Sequence, residues 1–132
     1  MSEAERPKPR SLSMTAQEVL NTVAAHLLKQ GAKSMASDGK RCSYRGEGDL
    51  RCSVGALIPD EAYSPKLESQ GVEVLLERGR CLQHLSEHWS LLTELMYVHD
   101  VCPVEAWPRR LRGLAKLRGL KVPKGCRSGS DA

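Results

Sequence analysis

Apolar residues recur along much of this chain at steps of three and four, the spacing that lines one face of an α-helix. The clearest case opens at Thr15-Ala16-Gln17-Glu18, which fits a capping box in which the Thr hydroxyl and the Glu carboxylate each satisfy a free backbone amide. Val19, Leu20, Val23, Ala24, Leu27 and Leu28 then form one stripe, and Gly31 supplies a stop. Val72, Val74, Leu75 and Leu76 predict a short helix ending at Gly79. Leu82, Leu85, Trp89, Leu92, Met96 and His99 form a further stripe, ended by Pro103, with Ser86 or Ser90 as later starting points. A last helix is predicted from about Pro108 to Arg118, with Leu111, Leu114 and Ala115 facing inward and Gly119 at its cap.

One stretch has the period of a strand instead. Cys42, Tyr44, Leu50, Cys52 and Val54 alternate with Ser43, Arg51 and Ser53, and the turn formers of Arg45 to Asp49 lie between. A five-residue loop would set Tyr44 opposite Leu50 and Cys42 opposite Cys52, keeping apolar residues on one face. The expectation is therefore an α+β fold, a small mostly helical domain of about four helices with one β-hairpin. The organisation reads as a flexible lead over 1–13, a globular domain over 14–120 and a basic flexible tail over 121–132.

Composition narrows the class. The chain has 132 residues, with 40% hydrophobic, 27% charged and only 4% aromatic. That is room for one small core and excludes a multidomain enzyme. Eighteen Leu against a single Ile favour helices over a large sheet. The charged, proline-containing start lacks the apolar region of a secretory signal, and no apolar run is long enough to span a bilayer. Five scattered Cys, an odd number, then read as reduced thiols in a cytoplasm.

The net charge of +4 is unevenly placed, because the stretch after Asp100 is strongly basic. Arg109, Arg110, Arg112, Lys116 and Arg118, with Lys121 and Lys124 beyond them, could track phosphates, so nucleic acid is one candidate partner. Few aromatics argue against base stacking, and a solvated helix face carries the same charges.

Candidate chemistry gathers at the cysteines. Cys42 and Cys52 with His99 could ligate zinc, and Cys81, His84 and Cys102 offer further donors, but no tandem CxxC pattern is present. Packed core thiols are the commoner reading, so no cofactor is predicted, with zinc as an option for the same set. His99-Asp100 could serve a Cys42 or Cys52 nucleophile as base and orienter, or could simply be a helix-end pair. Tyr44-Arg45 carries the residue types enriched at binding hot spots. The Gly46 and Gly48 turn could cradle an anion, although an ordinary exposed turn is favoured.

The run Cys42-Ser-Tyr-Arg-Gly, then Leu50-Arg-Cys52-Ser-Val-Gly55-Ala-Leu57-Ile58-Pro59-Asp-Glu, Tyr63, Glu68 and the Leu-Met-Tyr-Val-His99-Asp100 segment resembles a family of small hypothetical proteins of tailed bacteriophages and prophages. The resemblance covers about residues 14–120. Cys81, Cys102, Cys126 and the stretch beyond Gly119 depart from the family pattern. It implies a setting, a phage accessory protein in bacterial cytoplasm, and carries over no catalytic residue. On that basis Tyr44, Arg45, Glu68, His99 and Asp100 form the candidate binding set, for a host or defence protein or a small signalling ligand. The reading leans away from an enzyme. Nucleic-acid binding through the basic helix, and a zinc or thiol site at Cys42, Cys52 and His99, stand as alternatives.

Overall fold

The computed structural model describes residues 14–36, 39, 42–78 and 82–126. Four α-helices follow one another: α1 (Ala16–Gln30), α2 (Val72–Arg78), α3 (Trp89–Val101) and α4 (Trp107–Leu117), with short 3-10 turns between them.

Helix α1 starts and stops where its caps dictate. Thr15 Oγ1 accepts the Glu18 amide at 3.1 Å and Glu18 Oε1 accepts the Thr15 amide at 2.9 Å. Gly31 then turns left-handed at φ 64° and returns its N–H to Leu27 O. The buried stripe of α1 packs on α3, on α4 and on the turn Gly55–Leu57. Trp107, at the start of α4, is fully buried and donates its indole N–H to Cys102 O. Chain past α4 stays on the body: Gln17 clamps the Lys121 backbone N–H and C=O, Arg112 donates to Cys126 O, and Cys126 is fully buried. Packing thus extends past the boundary expected at residue 120. The lead over 1–13, Gly79, Cys81 and the end of the tail lie outside the described residues.

The α+β expectation fails. Among the described residues there is no strand: the expected hairpin is reduced to one isolated bridge, Arg45 with Arg51, and a second isolated bridge ties Cys42 to Met35 outside it. The cause is where the backbone groups bond. Side chains take the positions that a second strand would fill. Glu68 accepts the Tyr44 and Arg45 amides. Gln30 Oε1 accepts the Arg51 amide and its Nε2 donates to Arg51 O. Ser34 Oγ donates to Ser43 O and reaches Leu50 O. The register differs too: Cys52 N donates to Tyr44 O and Gly46 N to Leu50 O, so Tyr44 rather than Cys42 faces Cys52. Tyr44 and Cys52 are both buried, so the alternation still sends its core residues inward without a ladder.

The third helical stripe also shifts. Leu82 and Leu85 belong to a 3-10 turn before α3, and the core face of α3 is Leu91, Leu92, Leu95, Val98 and His99. Trp89 falls on the exposed side.

Candidate functional site

Glu68 organises the segment from Tyr44 to Tyr63. It sits in the 3-10 turn Pro65–Ser69, started by Pro65. Its Oε1 accepts the Tyr44 amide at 2.9 Å, and its Oε2 accepts the Arg45 amide at 3.0 Å and the Tyr63 hydroxyl at 2.5 Å. Three donors on one carboxylate fix two consecutive backbone units and one ring. That hydroxyl is pushed up to about 12, by burial first and then by its bond to Glu68 and that carboxylate's charge.

Arg45 is held from several sides. Its guanidinium lies over the Tyr63 ring at 4.7 Å, donates from Nη2 to Ile58 O at 2.7 Å and pairs with Asp60 at 3.0 Å. Arg51 shares the same Asp60 oxygen at 3.2 Å. Two glycines make room for this arrangement. A Cβ on Gly55 would lie 1.8 Å from Tyr44 O, and one on Gly46 would lie 2.4 Å from Met35 O.

A cleft of about 360 Å³ opens here, walled by Ala36, Cys42, Ser43, Arg45, Gly46, Glu47 and Glu68. A smaller cavity of about 190 Å³ continues past Cys42, Ser43 and Glu68 to Cys52, Met96 and Asp100. Among the described residues, two buried side-chain polar atoms have no hydrogen-bond partner, Ser43 Oγ and Arg45 Nε. Both residues line the cleft.

His99 and Asp100, at the end of α3, reach this region from behind. His99 is fully buried and stacks on Trp107, with ring centres 5.6 Å apart. The Ser34 backbone N–H donates to its Nε2 at 2.9 Å, so that nitrogen presents its lone pair and the ring proton sits on Nδ1. Nδ1 then donates to Asp100 Oδ1 at 2.5 Å. A base for a nucleophile needs a free lone pair, and the His99 lone pair is occupied by a backbone amide.

Cys42 Sγ, a His99 ring nitrogen and an Asp100 oxygen lie within 4.8 Å of one another, the donor types and spacing that could gather around a metal ion. Cys52 is not a member of this cluster: it is fully buried, and its sulfur accepts the Gly55 amide at 3.3 Å. A metal on Nδ1 would move the ring proton to Nε2, against the Ser34 amide. Burial, then the Asp100 charge and its hydrogen bond, push the Cys42 thiol up to about 11 in the metal-free protein. Burial pushes Cys52 up to about 12. Neither thiol is set up as a nucleophile near neutral pH.

The structure therefore brings Tyr44, Arg45 and Glu68 into direct contact, with His99 and Asp100 adjacent through Cys42. Ser34 and Ser43, which no reading of the sequence singles out as site residues, complete the region. Ser34 Oγ lies against the Gly46 backbone, which has no Cβ there to clash with it. The basic set is divided. Arg118 donates to Glu94 at 2.5 Å and to Ser90, and Arg112 is bonded to Cys126 O, whereas Arg109, Arg110 and Lys116 are exposed. Burial also lowers His84, whose Nε2 meets Leu57 O at 3.2 Å. Among the described residues no helix is long and apolar enough to cross a membrane. No protein-family model, curated protein or solved structure matches the chain.

Proposed function

We propose that this protein acts by binding rather than by catalysis, and that its site is the cleft walled by Ser43, Arg45 and Glu68. The observation that carries this is the distribution of unsatisfied groups. Groups able to do acid–base or nucleophilic work are engaged elsewhere: His99 by Ser34 and Asp100, and Glu68 by three donors. Among the described residues, the two that carry buried polar atoms without partners, Ser43 and Arg45, both line the cleft. An unsatisfied buried polar group costs about 1–3 kcal/mol, and a ligand oxygen or ring nitrogen would offset that cost.

The ligand is a small polar molecule that presents acceptors to Ser43 Oγ–H and Arg45 Nε–H. Glu47 and Glu68 on the same wall disfavour a polyanion. Both donor atoms are shielded from solvent, so the ligand engages them by a small outward shift of the wall. In the phage setting that the family resemblance implies, such a cleft would withdraw a small signalling molecule from the host.

The test compares native and denatured mass spectra of the untagged protein from bacterial lysate, followed by thermal-shift screening of small metabolites. Ser43→Ala is the diagnostic variant. It removes an unpartnered hydroxyl, so the free protein keeps or slightly gains stability while ligand-induced stabilisation falls. A small-molecule adduct, or a metabolite whose thermal shift is reduced in Ser43→Ala, supports the reading. Bare protein with no metabolite discriminating wild type from Ser43→Ala refutes it. A mass increment of one zinc ion, lost in Cys42→Ala, would assign the Cys42, His99 and Asp100 cluster instead.

A further inference from the structure

A second surface lies on the other two long helices. Among the described residues, the large hydrophobic side chains that remain exposed are Trp89, Tyr97 and Val101 on α3 and Leu117 on α4. Trp89, Tyr97 and Val101 stand eight and four residues apart, so they follow one row along α3. Leu117, at 79% exposure, is far from a core residue. Between the helices runs a groove of about 450 Å³, with Tyr97, Val98 and Cys102 on one wall and Arg110, Gly113 and Leu117 on the other.

Two details show what this groove fits. Gly113 lies inside α4, where glycine costs a helix about 1 kcal/mol relative to alanine. A Cβ there would meet nothing within 4 Å, so packing within the chain does not require the glycine. Its absent side chain leaves a flat spot at which another backbone can approach. Charge is the second detail. Arg109 and Arg110 line the groove, are exposed and make no ion pair among the described residues. Glu94, the carboxylate on this surface, is already paired with Arg118. A second copy docking symmetrically through the same groove would bring the same arginines and no unpaired carboxylate.

We infer that the α3–α4 groove docks an acidic amphipathic helix of a partner protein. Apolar side chains of that helix, at i and i+4, enter between Tyr97 and Leu117, its backbone passes over Gly113, and its flanking carboxylates meet Arg109 and Arg110. This is the helix-in-groove mode of recognition, with Tyr97, Arg109 and Arg110, of residue types enriched at binding hot spots, already in place. The inference is independent of the Ser43–Arg45 cleft.

The experiment selects binders from a displayed library of random helical peptides on the immobilised full-length protein. Affinities of the selected peptides are then measured for wild type, Arg109→Glu/Arg110→Glu, Leu117→Ala and Ser43→Ala. The expected binders have an apolar i, i+4 row flanked by Asp and Glu. They lose at least about tenfold in affinity to the charge-reversed protein and several-fold to Leu117→Ala, as removal of a hot-spot contact does. They bind Ser43→Ala as they bind wild type. No selected binder, or binders indifferent to both groove variants, overturns the inference. A concentration-dependent dimer that Leu117→Ala abolishes and selected acidic peptides fail to dissociate would give the groove to a second copy. Nucleic acid that binds wild type and Leu117→Ala equally, and is lost on charge reversal, would give the arginines to phosphate contacts.

Discussion

Glu68→Gln tests the organisation of the cleft most directly, because it removes one oxygen and leaves the volume nearly unchanged. The wild-type carboxylate accepts three hydrogen bonds, two of them from the consecutive amides of Tyr44 and Arg45. Glutamine offers one oxygen and one NH2 group. The Tyr63 hydroxyl can turn and accept from that NH2, but a backbone N–H cannot. One of the two amides is therefore left facing a donor. An orphaned buried N–H costs about 1–3 kcal/mol, and the loss of charge from the surviving bond removes about 1 more. Because Glu68 is only half-buried, the expected total is about 2–3 kcal/mol. For a domain of this length each kcal/mol moves Tm by about 4 °C, so the variant should melt about 8–12 °C lower. Tyr63→Phe removes only the hydroxyl donor and should cost about 1 kcal/mol. Urea unfolding at pH 7 measures both, and amide hydrogen exchange should show lost protection at Tyr44 and Arg45 in Glu68→Gln alone. If Glu68→Gln stays within 0.5 kcal/mol of wild type, a difference about the size of an ordinary surface substitution, the carboxylate does not hold this segment. If Tyr63→Phe costs as much, the backbone amides are not the bonds that matter.

Two further perturbations follow from the same region. Burial raises Cys52 from 9 to about 12 in the folded protein, so its contribution is complete below pH 9 and is lost as pH rises towards 12; near pH 10.5 the loss is about 2 kcal/mol. Urea midpoints at pH 8 and 10.5 should show this loss in wild type and a shallower one in Cys52→Ala, and equal slopes would contradict burial of a protonated thiol. Gly55→Ala should destabilise by about 3 kcal/mol, since its Cβ would sit 1.8 Å from Tyr44 O and the backbone itself must move; chemical denaturation measures it, and a neutral result would mean that the Gly55 turn does not rest on Tyr44.

The parts of this fold that could be read from sequence are those whose causes are local. The caps of α1 use residues within three or four positions of each other, and so does the glycine stop. The face of α3 was harder because the helix is apolar on most sides. Stripes beginning at Leu82 and at Leu91 fit the helical period almost equally, and packing on α1 and α4 selects the second. The hairpin failed for a different reason. Alternation from Cys42 to Val54 reports which side chains point inward, and Tyr44, Cys52 and Val54 do. It does not report what satisfies the backbone. Here Glu68, Gln30 and Ser34 do so, from 9 to 24 positions away. No pattern within the segment marks these residues as its partners. The proximity of Tyr44, Arg45 and Glu68 was expected only from the family resemblance, and Ser43 carries neither a charge nor a spacing that would mark it.

A site built in this way links ligand binding to local order. Segment 42–71 has neither a strand ladder nor a long helix of its own. Its Tyr44, Cys52, Val54, Leu57 and Ile58 are anchored in the core, while its backbone is held by a few bonds from side chains, centred on Glu68 and Ser34. Backbone held by side chains in this way opens more readily than a helix or a strand ladder unless something adds to those bonds. A ligand on Ser43 and Arg45 would add bonds on the two residues flanking Tyr44, whose amide Glu68 already holds. At a hundredfold excess over its Kd, a ligand stabilises the state it binds by about 2.7 kcal/mol, comparable to the whole contribution expected from Glu68. Occupancy would therefore set the rigidity of the segment as strongly as its best internal anchor does. The opposite holds behind it, where His99 is closed in by Ser34, Asp100 and Trp107 and has no polar atom left for a ligand. Cys42 thus lies between the closed-in His99 and the responsive wall that carries Ser43 and Arg45.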